Sequence, residues 1–157
     1  MARSARPARP AAVAAGAAAA SVLLLGACAP VTTELPYAPS DGTRVDFTDV
    51  EARGLNLMVL SPAEGSEGAV FGALANSSSE DLTFTLTATG AAPVTVTVPA
   101  QETVYLGTEE GEQVTLDSVA TIPGGNLEAT LTAGDDTEDF YLPVFDSTLP
   151  EYAAYVP

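Results

Sequence analysis

Between Leu55 and Val144, apolar residues recur at every second position in short runs, and Gly, Pro, Asn, Asp and Ser cut the runs apart. A period of two puts alternate side chains on opposite faces of an extended chain, so each run reads as a strand. Leu82, Phe84 and Leu86 alternate with Thr83, Thr85 and Thr87, and Val94, Val96 and Val98 alternate with Thr95 and Thr97. Leu127, Ala129 and Leu131 repeat the pattern. Leu55, Leu57 and Val59 share a face in an earlier run whose other face, Asn56, Met58 and Leu60, also turns apolar toward its end. Burial on both sides predicts a central strand. Ala69–Ala75, Thr103–Leu106, a run through Val114 and Leu116 toward Val119, and a last run of Phe140, Leu142 and Val144 complete the set. Pro143 brings no N–H to a ladder, so it predicts an edge position or a bulge there.

About eight or nine short strands, with no window of helical period, predict an all-β domain over residues 44–149. The expected architecture is an antiparallel Greek-key β-sandwich of the immunoglobulin or cupredoxin kind, whose two sheets bury the apolar faces against each other. Phe71, Phe84 and Phe140 stand among aliphatics and read as core. Tyr105, Tyr141, Tyr152 and Tyr155 are uncommitted; several of them on one exposed face would make a partner surface. Residues 150–157 have no period and read as a tail that packs loosely or stays mobile.

Ahead of the strands the pattern changes. Residues 11–28, AAVAAGAAAASVLLLGAC, are apolar or small throughout, follow Arg3, Arg6 and Arg9, and end on the chain's single cysteine. A basic start and a short apolar run ending in small residues make a secretory signal, and the run is short for a spanning helix of about 20 apolar residues. Leu25-Gly26-Ala27-Cys28 resembles the lipobox of bacterial lipoproteins, in which the cysteine thiol receives a diacylglyceryl group before the signal is removed. The resemblance makes 1–27 the signal peptide and Cys28 the mature N-terminus. Two acyl chains anchor a protein stably where one holds it marginally. Residues 28–43, with Pro30, Pro36 and Pro39, then form a semi-extended tether. The expected location is the extracytoplasmic face of the cell membrane.

Charge sharpens this picture. All 21 acidic residues follow Cys28, and of the five arginines only Arg44 and Arg53 do, which leaves the mature chain at a formal charge of −19. Such a surface repels phosphate backbones, so nucleic acid is excluded as a partner. A lone cysteine also precludes an intramolecular disulfide.

Catalysis near neutral pH needs a titrating base, an activated nucleophile or a metal. The chain has no His and no Lys, its one thiol is the expected lipidation site, and a glycosidase-like carboxylate pair lacks the Trp that lines such clefts. No enzyme activity is expected, and no cofactor beyond the lipid. Two acidic clusters, Glu109-Glu110-Gly111-Glu112 and Asp135-Asp136-Thr137-Glu138-Asp139, lack EF-hand spacing and fall where hairpin loops are expected. They read as solvated turns, with weak Ca²⁺ binding as the other reading.

Several strings carry a family resemblance. The lipobox, PYAPSDG, NLMVLS, GAVFGALANSSSEDL and YLPVFDSTLPEY resemble small actinobacterial lipoproteins of the LpqE type. More distantly, residues 68–144 resemble the PCuAC class of periplasmic copper chaperones, through GALANSSSEDL, VPAQETVYL and TLTAGDDTEDFYLPV. That likeness implies a cupredoxin-like sandwich and an exported setting. The chaperones hold copper through His and Met, as Cu(I) chemistry requires. Here the second His-x-Met position falls on Gln113-Val114-Thr115, and the loop carrying the first is shortened around Ala91–Val94. The expected role is therefore a non-enzymatic binding or assembly module for another envelope component. A copper-handling protein with other ligands and a small-molecule carrier are the alternatives.

Overall fold

The computed structural model describes residues 40–157, which fold as a β-sandwich of nine strands. The strands are β1 (Thr43–Asp46), β2 (Ala52–Leu60), β3 (Gly68–Asn76), β4 (Leu82–Ala88), β5 (Val94–Val98), β6 (Thr103–Leu106), β7 (Val114–Leu116), β8 (Asn126–Ala133) and β9 (Asp136–Phe145). One sheet runs β5-β4-β8-β9, and the other holds β2 and β3 at its centre with β1, β6 and β7 beside them. The chain crosses between sheets after β3, after β5 and after β7, which is the Greek-key feature the strand pattern predicts.

One pairing departs from the antiparallel expectation. The end of β9 leaves its sheet and pairs in parallel with the end of β2, Val59 with Val144 and Leu60 with Phe145, so the two sheets are joined along that edge. Pro143 stands one residue before this switch, opposite Asn126 of β8. The Val144 N–H reaches back toward β8, to the Gly125 carbonyl at 3.0 Å. By alternation the Pro143 nitrogen faces away from β8, where the parallel ladder has not yet begun, and its missing donor breaks no bond there.

The apolar faces meet between the sheets. Phe84, Leu131, Leu142, Val59, Val70, Val98 and Leu116 are almost wholly buried there, and Phe47, in the turn after β1, packs edge-on against Phe84 with ring centroids 6.1 Å apart. Val119 is buried too, though it lies beyond the end of β7 rather than on it.

The alternation in β2 is broken by a bulge. Leu55 faces Ala73 and Met58 faces Phe71, so Asn56 and Leu57 together oppose Gly72. Asn56 takes φ 52°, and its Oδ1 accepts the Gly42 N–H at 2.7 Å. One extra residue flips every side chain beyond it. Leu57 and Val59 face the main core, Leu55 does not join them, and the expected three-residue face is corrected to two. Gly72 has φ 138°, and a Cβ there would lie 2.7 Å from the Leu55 carbonyl oxygen.

The bulge also gives β2 a second apolar face. Met58, Leu60 and Phe71 form a separate buried cluster on the outer side of their sheet, and the C-terminal tail covers it. Tyr152 packs on Phe145 with centroids 5.6 Å apart, Tyr155 stands edge-on to Phe71 at 5.3 Å, and Val156 adds to the cover. The tail is thus docked, against the expectation of loose packing: its aromatics at 152 and 155 follow a turn spacing, Tyr155 N–H to the Tyr152 carbonyl at 2.9 Å, and not a strand period.

Candidate functional site

Leu25, Gly26, Ala27 and Cys28, with the signal peptide and all but the last residues of the tether, lie outside the described residues. The site that the described residues can speak to is the surface of the sandwich.

The positions that the copper-chaperone likeness singles out have structural employment. Gln113 Nε2 donates to the Thr108 carbonyl at 2.7 Å and closes the loop between β6 and β7. Val114 is buried on β7, and Met58, which lies outside that likeness but is the one methionine after Cys28, sits under the tail with Leu60 and Phe71. At Ala92 the backbone N–H donates to Asp117 Oδ1 at 3.0 Å. None of these positions presents a soft ligand to solvent, so the residues do not fit a His/Met copper set.

The two acidic clusters differ. Glu109–Glu112 lies in the loop between β6 and β7, as expected, with the Glu112 N–H bonded to the Tyr105 carbonyl at 2.8 Å. The second cluster is not a loop. Only Gly134 and Asp135 form the turn, with Gly134 at φ 61°, the glycine-first arrangement of a tight two-residue hairpin, while Asp136, Thr137, Glu138 and Asp139 extend along β9. Register dictated by Leu127, Ala129 and Leu131 of β8 places these charges where β9 has a strand on one side alone. Among the described residues, no three acidic or metal-ligating side chains converge.

Carboxylates instead terminate backbone turns. Asp136 Oδ2 accepts the N–H groups of Thr48 and Asp49 at 3.2 and 3.0 Å, and Asp81 Oδ1 accepts that of Ala100 at 3.0 Å. Asp146 accepts the Thr148 N–H at 2.8 Å, and the Thr148 hydroxyl and amide hold its carboxyl below the usual aspartate range. Asp46 is lowered by its hydrogen bonds from Arg44, an exposed bidentate pair at 2.6 and 2.7 Å. The Tyr152 hydroxyl donates to Asp41, and that bond, with burial and the Asp41 charge, pushes its pKa up to about 12.

The four uncommitted tyrosines do not gather on one face. Tyr152 and Tyr155 belong to the tail, Tyr105 is 61% exposed on β6, and Tyr141 is 57% exposed on β9 in the other sheet. Tyr141 has company of a different kind. The outward positions of its sheet align across strands as Thr95, Thr85, Thr132 and Thr137 in one row, Thr87, Thr130 and Asp139 in the next, and Thr89, Glu128 and Tyr141 in the third. The last two rows border a surface groove of about 490 Å³. Between the sheets, by contrast, the space among Leu57, Val70, Phe84, Leu86 and Leu131 amounts to about 10 Å³, no more than one water needs.

No protein-family model matches the chain, and no curated protein does.

Sequence reasoning missed Asn76. It is 2% exposed at the end of β3, where Nδ2 donates to the carbonyls of Glu80, Val98 and Pro99 at 2.8, 3.1 and 3.1 Å, and Oδ1 accepts from the Ser78 N–H and hydroxyl at 2.9 and 2.7 Å. One amide therefore ties β3 to the start of β4 and the end of β5. An Asn closing an apolar strand before Ser77-Ser78-Ser79 was the available signal, since a short amide there competes well for backbone partners.

Proposed function

We propose that this chain is a lipid-anchored protein of the extracytoplasmic membrane face, whose β-sandwich serves as a non-enzymatic binding or assembly module in the cell envelope. The observation that carries the reading is Leu25-Gly26-Ala27-Cys28, closing a short apolar run behind three arginines. Diacylglyceryl on Cys28 supplies the two chains that stable anchoring takes. The absence of His and Lys from the sequence favours binding over catalysis, because proton transfer at neutral pH has few other carriers. A core packed to the limit of one water argues against a ligand carried between the sheets.

The test replaces Cys28 with Ala in the full chain and follows radiolabelled lipid and membrane fractionation. Loss of both label and membrane association is the expected result, and a Cys28→Ala chain that fractionates with membranes as the wild type does overturns the anchor. The copper-handling reading, which rests on the PCuAC likeness, is separated by titrating the full chain with Cu(I), Cu(II) and Ca²⁺. Stoichiometric micromolar binding of either copper ion would favour it over the module proposed.

A further inference from the structure

The hydroxyl array on the β5-β4-β8-β9 sheet is not uniform. At one end its side chains satisfy one another: Thr132 and Thr137 share a hydrogen bond at 2.9 Å, and Thr83 and Thr97 share one at 3.3 Å. At the other end, beside the groove, no hydrogen bond among the described residues engages the side chains of Thr87, Thr89, Glu128, Thr130, Asp139 or Tyr141. Six polar groups thus face one concavity with their capacity unspent on the other described residues.

We propose that this groove binds a neutral glycan. A pyranose presents hydroxyls that both donate and accept around its edge and an apolar C–H face above and below. The groove offers the complement of each. Thr hydroxyls donate and accept, the carboxylates of Glu128 and Asp139 accept, and bonds to an ionised acceptor are about twice as strong as neutral ones. Tyr141, more than half exposed, supplies an apolar ring face with a polar tip beside them.

Geometry supports the same ligand. Outward residues on paired strands repeat at about 4.8 Å across the sheet and about 6.8 Å along it, within the reach of adjacent sugar hydroxyls. Threonine is stiff at χ1, so little rotamer freedom is lost when a ligand fixes the array. A groove of about 490 Å³ lies within the roughly 300–1,000 Å³ of small-ligand sites. The two carboxylates, in a chain whose mature part carries −19, disfavour phosphorylated or uronic-acid glycans. Protein partners are a poorer match, because the centres of protein interfaces are depleted of charge. The proposal rests on the reading above, in which the domain is displayed outside the cytoplasm among envelope glycans.

The experiment uses the full chain purified from membranes in a detergent without a sugar headgroup. It is titrated calorimetrically with neutral oligosaccharides of glucose, galactose, mannose and N-acetylglucosamine, and with an oligogalacturonate as the anionic counterpart. Saturable binding of at least one neutral oligosaccharide is expected, with the oligogalacturonate weaker. Tyr141→Ala should weaken it at least about tenfold, and Thr130→Val, which keeps shape and removes one hydroxyl, should weaken it severalfold. Both positions face outward, so circular dichroism of the variants should match the wild type. Absence of binding across the neutral panel at millimolar sugar overturns the proposal, as do variants that bind like the wild type or an oligogalacturonate that binds as tightly. Lipid labelling at Cys28 is read separately and is indifferent to these outcomes, so failure here leaves the anchor standing.

Discussion

Replacing Asn76 with Asp keeps the size of the side chain and the acceptor for Ser78 while removing both donor hydrogens. Three carbonyls then lose this donor: Glu80 keeps the Ser78 hydroxyl at 2.9 Å and Pro99 keeps the Glu102 N–H at 3.2 Å, but Val98 belongs to a residue with no exposed surface, so water does not replace the amide there. A buried acceptor left without a donor costs about 1–3 kcal/mol, and the bonds at the more accessible Glu80 and Pro99 carbonyls add about 1 kcal/mol between them. The carboxylate also faces carbonyl oxygens, which raises its pKa. A loss of about 3 kcal/mol near neutral pH follows, out of the roughly 5–15 kcal/mol that such a domain has. Urea denaturation followed by circular dichroism should show a lower midpoint with an unchanged slope. Because protonation restores a donor, the deficit against the wild type should shrink as the pH falls through the raised folded-state pKa toward about 4, the unfolded value, and stay level below it. An Asn76→Asp chain within about 0.5 kcal/mol of the wild type at neutral pH would refute the claim that this amide clasps three strands.

Three further outcomes test other parts of the structure. Gly72→Ala should destabilise by about 3 kcal/mol, because φ 138° strains any side chain and a Cβ would meet the Leu55 and Asn56 carbonyl oxygens at 2.7 and 2.8 Å; an unchanged urea midpoint would contradict the bulge. The Tyr152–Asp41 bond favours the phenol in the folded state, so its contribution is complete below about pH 10 and is lost as the pH rises through about 12. Tyr152→Phe should therefore be less stable than the wild type by about 1 kcal/mol at neutral pH, with the gap closing between those values in denaturation measured across alkaline pH. Asp136→Ala should free the N–H groups of Thr48 and Asp49, speeding their hydrogen exchange with little change in the exchange of β8.

Period-two alternation made most strands legible because each run declares its own faces: Phe84 and Leu131 sit in the core and Thr85 and Thr132 outside, as their positions require. What alternation could not carry is any relation between distant runs. That Thr87 of β4 stands beside Thr130 of β8 and Asp139 of β9 depends on a pairing across more than forty residues of chain, so the groove was invisible even though each of its strands was not. The bulge at Asn56–Leu57 was hidden for another reason. An apolar run on both faces looks the same whether or not one residue is extra, and only Asn56 opposite Gly72 marks the place. The acidic run at 135–139 misled because charge predicts exposure, and an outer strand is as exposed as a loop.

Mass spectrometry of the N-terminal peptide from the membrane-extracted protein tests the central claim most directly. The expected product is a chain that begins at Cys28 and carries a diacylglyceryl group on its sulfur. A peptide that begins upstream of Cys28, or an unmodified Cys28 in the mature protein, would contradict it.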